Sequence, residues 1–142
     1  MYFQCTLILQ VIMKTLLTFF VLLFSTSVVA NEFEWKKIST SITGTSIYAD
    51  LSSIKKNNNN RVTFLELTDF FEPSEQGILS VIVYKEVNCK NFSFRYLKDI
   101  YFELPMGKGE EWGVNNEKSE WMGAIKDSVS HRVHIFVCDY KL

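Results

Sequence analysis

Apolar and polar residues alternate with a period of two through most of the chain beyond residue 31, which predicts β-strands. The segments that show this alternation are 35–38, 46–50, 62–68, 78–89 and 92–102. In the last segment the period places five aromatic or aliphatic side chains on one face: Phe92, Phe94, Tyr96, Ile100 and Phe102. No segment between these strands has the pattern of a parallel crossover. We therefore expect neighbouring antiparallel strands with at least one well-packed face.

Two connections carry turn signals. Four consecutive asparagines at 57–60 predict the tip of a hairpin, because Asn tolerates the positive φ of tight turns. The stretch 104–116 contains Pro105 and three glycines, which predicts a loop.

Two structures fit the last segment of the chain. Asp127 or Ser128 can cap a helix whose apolar stripe includes Val133 and Val137. The same segment also alternates with a period of two from Val129 onward, and its β-branched residues favour a strand. Periodicity leaves both structures open.

The first thirty residues have the pattern of a secretory signal peptide. Lys14 precedes the apolar run 15–24, and Val28 and Ala30 occupy the two positions that a signal peptidase recognises. A membrane anchor is the alternative, but Lys14 interrupts any window of the roughly 20 apolar residues that a spanning helix needs. We expect a leader at 1–30, with Met13 as a possible true start, and one domain at 31–142.

Composition and cysteine content limit the class of protein. The formal net charge of −1 argues against a nucleic-acid partner, which would require a strongly basic face. Loss of Cys5 with the leader leaves Cys89 and Cys138. An even pair in an exported domain predicts one disulfide, with two buried free thiols as the alternative.

The residues typical of catalysis or metal binding do not form a recognisable motif. His131 and His134 lie three apart, but no third ligand accompanies them. Asp127, Ser128 and His131 are of the types found in a catalytic triad, but adjacency in sequence is not triad geometry. We expect no catalytic residue, no cofactor and no metal site.

A glycine-rich loop is the best local candidate for a partner surface. Met106, Gly107, Lys108 and Gly109 form a tight-turn motif, and Trp112 is an aromatic residue in the same polar stretch. We expect this candidate contact loop to lie beside an edge strand, with the strand around Trp35 and the strand 62–68 as the expected edges.

Several residues carry a family resemblance along nearly the whole mature chain. In order they are Trp35, Ile38, Tyr48, Asp50, Ser53, Ile54, Leu67, Asp69, Ser80, Glu86, Asn88, Cys89, Arg95, Leu97, Tyr101, Met106, Gly107, Lys108, Gly109, Trp121, Ser128 and Cys138. With these residues the chain resembles the surface-adhesin protein E family of small exported bacterial domains. The resemblance implies an α+β fold, in which a single antiparallel sheet of about five to six strands carries a C-terminal helix. It also implies that a disulfide between Cys89 and Cys138 ties the helix to the sheet.

The resemblance also indicates a class of function. It favours an exported, adhesin-like binding module without enzymatic activity that recognises a protein partner of the host matrix or of the bacterial envelope. The alternative is a structural or accessory periplasmic envelope protein that acts mainly through dimerisation. Either protein is expected in the periplasm, in the medium or at the cell surface, without a transmembrane anchor after removal of the leader.

Overall fold

The computed structural model describes residues 33–141, so the predicted leader lies outside the described residues. Within that range the chain forms an antiparallel sheet and a helix, α1 (Val129–Asp139). The strands are β1 (Trp35–Thr40), β2 (Ser46–Asp50), β3 (Lys55–Asn57), β4 (Arg61–Asp69), β5 (Ser80–Asn88), β6 (Ser93–Phe102), β7 (Glu111–Asn115) and β8 (Met122–Gly123). Two 3₁₀ turns, Leu51–Ser53 and Pro105–Gly107, lie between strands.

The strand order is β1-β2-β4-β5-β6-β7, and β4, β5 and β6 form the centre of the sheet. The ends of this order are β1 and β7, and β3 and β8 also pair with one strand each. An edge position for the strand around Trp35 is therefore confirmed. An edge position for 62–68 is wrong, because β4 has β2 and β3 on one side and β5 on the other. Both faces of β4 are buried, as is typical of an interior strand.

The sheet contains eight strands, more than the expected five to six. Each flank of the centre is built from two pieces: β2 and β3 pair with β4, and β7 and β8 pair with β6. On each flank a serine hydroxyl lies between the two short strands. Ser53 Oγ accepts a hydrogen bond from Leu65 N–H at 2.8 Å on the β4 side, and Ser119 Oγ accepts one from Tyr96 N–H at 2.9 Å on the β6 side. β3 and β8, with three and two residues, are too short to show a period. The loop predicted for 104–116 is wrong over Glu111–Asn115.

A β-bulge in β6 interrupts the period of two. Lys85 pairs with Tyr96, whereas the adjacent Tyr84 pairs with Lys98, so that Leu97 is an extra residue in β6. An extra residue in one strand turns the side chains that follow it to the other face.

The bulge splits the single aromatic face that the alternation predicts. Phe94 and Tyr96 pack with the core under the helix, whereas Ile100 and Phe102 pack in a cluster on the opposite face of the sheet. The prediction of one shared face is therefore wrong beyond Leu97.

The last segment is the helix α1, as the family resemblance implies. Ser128 is its N-cap, and its Oγ accepts a hydrogen bond from His131 N–H at 3.1 Å. Val133 and Val137 are fully buried against the sheet. Burial of this stripe outweighs the strand preference of the β-branched residues, because tertiary packing supplies most of the stability of a short helix.

A disulfide joins the end of α1 to the end of β5. Cys89 and Cys138 are bonded, with their Cα atoms 5.7 Å apart. The predicted pairing is confirmed, and it holds α1 over the half of the sheet that contains Phe64 and Val87. None of the helices within 33–141 has the length and apolar character needed to cross a bilayer.

Replacement of Cys89 by serine should destabilise the mature protein, because the disulfide closes a loop with a sequence separation of 49 residues. In the chain-entropy model such a loop corresponds to about 4 kcal/mol, and measured losses are about 2–5 kcal/mol. Urea unfolding of the wild type and of Cys89→Ser, each with and without reductant, measures the difference. Reductant should lower the wild type to the level of the variant. Equal stability of the oxidised wild type and Cys89→Ser would contradict this role.

Candidate functional site

The predicted contact loop begins with a turn that hydrogen bonds hold to the sheet. Met106 N–H donates to Asp69 Oδ1 at 2.7 Å, and Gly107 N–H donates to Ser80 Oγ at 2.9 Å. Ser80 Oγ in turn donates to the Leu104 carbonyl at 2.6 Å. Because Ser80 is fully buried, these bonds fix the turn from within the fold.

Two of the five predicted loop residues therefore act structurally. Met106 packs against the core cluster of Leu67, Ile82 and Phe102. Gly107 has a φ of +66°, and a Cβ atom there would lie 2.6 Å from Ile82 Cδ1. A side chain there would displace Ile82, and a φ of +66° is strained for any residue other than glycine. Lys108 and Gly109 follow on the exposed surface.

Trp112 lies outside this turn, on the edge strand β7. Its side chain is half exposed, and its ring makes an edge contact with the Tyr101 ring at a centroid distance of 6.5 Å. The inner side of β7 pairs with β6, and β7 ends the sheet on its outer side. Trp112 is therefore an aromatic side chain beside a strand edge that pairs with no other strand within residues 33–141.

A cavity of about 210 Å³ lies on the sheet face beside this edge. No sequence pattern predicts this cavity. Two rows of directly paired residues contribute to it: Glu66, Val83 and Asp99 form the first, and Thr68, Val81 and Tyr101 form the second. Phe70 and Tyr96 complete the lining. Asp99 and Tyr101 reach this face because the bulge at Leu97 turns them towards it.

Two carboxylates in the cavity have unused acceptor atoms. Glu66 is 5% exposed, and its Oε1 accepts from Lys85 Nζ at 2.5 Å. Asp99 Oδ2 accepts from Asn115 Nδ2 at 3.4 Å. The other oxygens, Glu66 Oε2 and Asp99 Oδ1, are buried and have no hydrogen-bond partner among the described residues.

Burial shifts the titration of three groups that line the cavity. Burial raises the pKa of the Asp99 carboxyl above its ordinary value. Burial, with the nearby charges of Glu66 and Asp99, raises the pKa of Tyr96. Burial and the Asp99 charge also raise the pKa of Tyr101. The Asp99 carboxylate is therefore poorly solvated, and a nearby cation would favour its charged form.

Lys85 is a buried cation that pairs with Glu66 beside the cavity. Its side chain is 2% exposed, and its ammonium lies 5.1 Å from the Phe94 ring centroid and 5.3 Å from the Tyr96 ring centroid. Together with the Glu66 carboxylate, these rings compensate the buried charge. A signal for this pair exists in the sequence, since Glu66 and Lys85 occupy positions in the alternation that apolar residues otherwise fill.

On the opposite face the charged residues satisfy one another. Glu86 binds Arg95 at 2.5 Å and Arg61 at 3.6 Å. The Trp121 ring lies 4.5 Å from the Arg95 guanidinium and 5.1 Å from that of Arg61. This network leaves fewer free groups for a ligand than the cavity does.

The two histidines of α1 have structural contacts. His134 is fully buried, with Nε2 3.2 Å from Ser130 Oγ, and burial followed by the Lys85 charge lowers its pKa to about 3. His131 Nδ1 accepts from Asp127 N–H at 3.2 Å. No group of three metal-ligating side chains occurs in the part of the chain that the structure describes.

Comparisons with known proteins agree on one family. The sequence profile of the family described as surface-adhesin protein E matches residues 35–139. A crystal form II structure of Haemophilus influenzae protein E has 17% identity and a TM-score of 0.59, covering 77% of this chain and 90% of that chain. Its selenomethionine form has 17% identity and a TM-score of 0.58, with coverages of 78% and 91%. These likenesses show the fold alone. No curated protein sequence matches the chain significantly.

The buried His134 should make the protein less stable in acid. The folded state keeps this imidazole neutral down to about pH 3, whereas the unfolded chain takes up a proton near pH 6.5. The free energy of unfolding should therefore decrease as the pH falls between these values, by at most about 1.4 kcal/mol per pH unit from this group. Urea unfolding at pH 4 to 7.5 of wild type and His134→Leu measures the difference in slope.

The raised pKa of Asp99 changes the free energy of unfolding with pH in the opposite direction. The free energies of the variant and of wild type are therefore compared at each pH. His134→Leu should show a shallower loss of stability in acid. Parallel pH profiles for the two proteins would show that His134 does not stay neutral in the fold.

Proposed function

Because the chain belongs to the surface-adhesin protein E family, we propose that it is an exported, non-enzymatic binding module that recognises a protein of the host matrix or of the bacterial envelope. A single observation indicates where on the protein the partner binds. The edge strand β7 holds the half-exposed Trp112 beside the free edge of the sheet. We call the outer edge of β7 together with Trp112 and Val114 the β7 surface.

The β7 surface has the properties of a strand-addition site. An edge strand offers unpaired N–H and C=O groups to which an extended segment of a partner can pair. Trp112 and Val114 are 49% and 42% exposed, so they provide apolar area at the same edge. The contact with Tyr101 restrains the Trp112 ring before binding, which reduces the entropy that binding costs.

The remaining predicted loop residues have a supporting role in this proposal. Lys108 and Gly109 are exposed and border β7 in sequence, whereas Met106 and Gly107 hold the preceding turn to the core. The family favours adhesion over a purely accessory role through dimerisation. No enzymatic activity is proposed.

Export is part of the proposal. The leader predicted at 1–30 would direct the chain out of the cytoplasm, with cleavage after Ala30. The Cys89–Cys138 disulfide supports this, because such bonds persist in oxidising compartments. The family name also indicates a surface location.

Replacement of Trp112 by alanine should weaken partner binding by about tenfold or more, because aromatic residues contribute strongly at the centres of interfaces. The melting temperature should stay within about 3 °C of wild type, since half of the side chain is already exposed. Mature protein is recovered from the periplasm or the medium, and its intact mass should correspond to a chain that begins at Asn31. This protein is then tested by biolayer interferometry. The panel contains purified host matrix proteins and fractionated envelope proteins.

Ile125→Ala is the matched control, since Ile125 is 79% exposed and lies outside the β7 surface. It should bind as wild type does. The proposal fails if no protein of the panel binds saturably. It also fails if Trp112→Ala binds as tightly as Ile125→Ala.

A further inference from the structure

We propose that the cavity beside β7 is a specificity pocket for an arginine side chain of the protein partner. The inference rests on the proposed function, because the partner would present this arginine while it contacts the β7 surface. The cavity is the one lined by Glu66, Asp99 and the aromatic side chains described above.

The cavity contains carboxylate oxygens that lack a hydrogen-bond donor among the described residues. Glu66 Oε2 and Asp99 Oδ1 are both buried acceptors without a partner among the described residues. Lys85 neutralises one of the two acids, and none of the eight lining residues in the described part is basic. Buried acceptors that lack donors are costly, and native proteins rarely leave them so without a ligand, water or ion.

The spacing of the two acids suits a guanidinium group. Glu66 pairs with Val83, and Val83 pairs with Asp99, so the two acids stand on either side of Val83 on the same face. Two strand spacings put their Cα atoms about 10 Å apart. A planar guanidinium with five N–H donors can lie over Val83 and donate to both carboxylates.

The apolar and aromatic lining suits the rest of an arginine side chain. Val81 and Val83 provide an apolar floor for the methylene groups. Tyr96, Tyr101 and Phe70 provide ring surfaces on which a guanidinium can stack. A lysine ammonium is a compact and more strongly hydrated charge, so it gains less from flat rings and from two separate acids.

The pocket adjoins the β7 surface directly. Asp99 pairs with Asn115 of β7, and Tyr101 pairs with Gly113. The Tyr101 ring contacts the Trp112 ring on one side and lines the cavity. A partner that pairs with β7 therefore lies next to the cavity, and a neighbouring segment of that partner, packed over the sheet face, can place an arginine in it.

An NMR titration of the mature protein with Nα-acetyl-arginine amide tests the pocket without any partner protein. Saturable shifts should centre on Glu66, Val83 and Asp99, with a dissociation constant on the order of 1 mM. Nα-acetyl-citrulline amide has nearly the same shape without the charge and should not bind. Nα-acetyl-lysine amide should bind more weakly. Equal binding of citrulline, equal binding of lysine, or shifts that centre elsewhere would each overturn the proposal.

Asp99→Asn should weaken binding of the arginine probe by about tenfold, because it removes a charged acceptor. Glu75→Gln, in the exposed loop between β4 and β5, removes the same charge outside both the cavity and β7 and should leave binding unchanged. If Asp99→Asn does not fold, Thr68→Arg, which fills the cavity from within, should block the probe. Unchanged binding of the arginine probe in either folded variant would overturn the proposal. Chemical-shift changes of the cavity residues with protein concentration alone would also overturn it, because they would identify a second copy of the chain as the occupant.

The two proposals fail in different ways. If Trp112→Ala weakens partner binding while Asp99→Asn does not, the proposed function stands and the arginine pocket is wrong. If the arginine probe binds the cavity but no protein of the panel binds, the pocket stands as a cation site and the proposed function is wrong.

Discussion

The buried ion pair between Lys85 and Glu66 divides one face of the sheet into two parts. On one side lie Phe64 and Val87, which α1 covers, and on the other side lies the open cavity. A buried pair of charges is costly to desolvate, and here a short contact and two aromatic rings compensate that cost. The same ammonium helps to keep His134 neutral within the core under α1. The dry core and the polar cavity therefore share one boundary.

The length of α1 explains why half of that face stays open. A helix of 11 residues is about 16 Å long, whereas a strand of nine residues such as β5 is about 30 Å long. In any orientation the helix covers at most about half of the strand length. The disulfide at Cys89 holds it over the half at the end of β5. Over the other half, the side chains of Phe70, Tyr96 and Tyr101 pack on Val81 and Val83 and line the cavity.

The sequence pattern predicts much of this fold but little of the candidate site. The long strands, the disulfide and the asparagine hairpin tip follow from periodicity, cysteine count and turn chemistry, and Asn59 and Asn60 do adopt positive φ. The short strands β3 and β8 have too few residues to show a period. The cavity depends on the bulge at Leu97, which no periodic pattern reveals and which brings Asp99 to the face of Glu66. Trp112 is a predicted contact residue because an aromatic residue among glycines is conspicuous in the sequence.

A double-mutant cycle on the ion pair tests the account most directly. The free energies of unfolding of Lys85→Met, Glu66→Gln and the double variant are measured against wild type. Each single variant should lose about 3–5 kcal/mol, because it leaves one buried charge or a broken hydrogen bond. The double variant should lose less than the sum by at least about 2 kcal/mol. Additive losses would contradict the claim that the two charges form the boundary between core and cavity as one coupled unit.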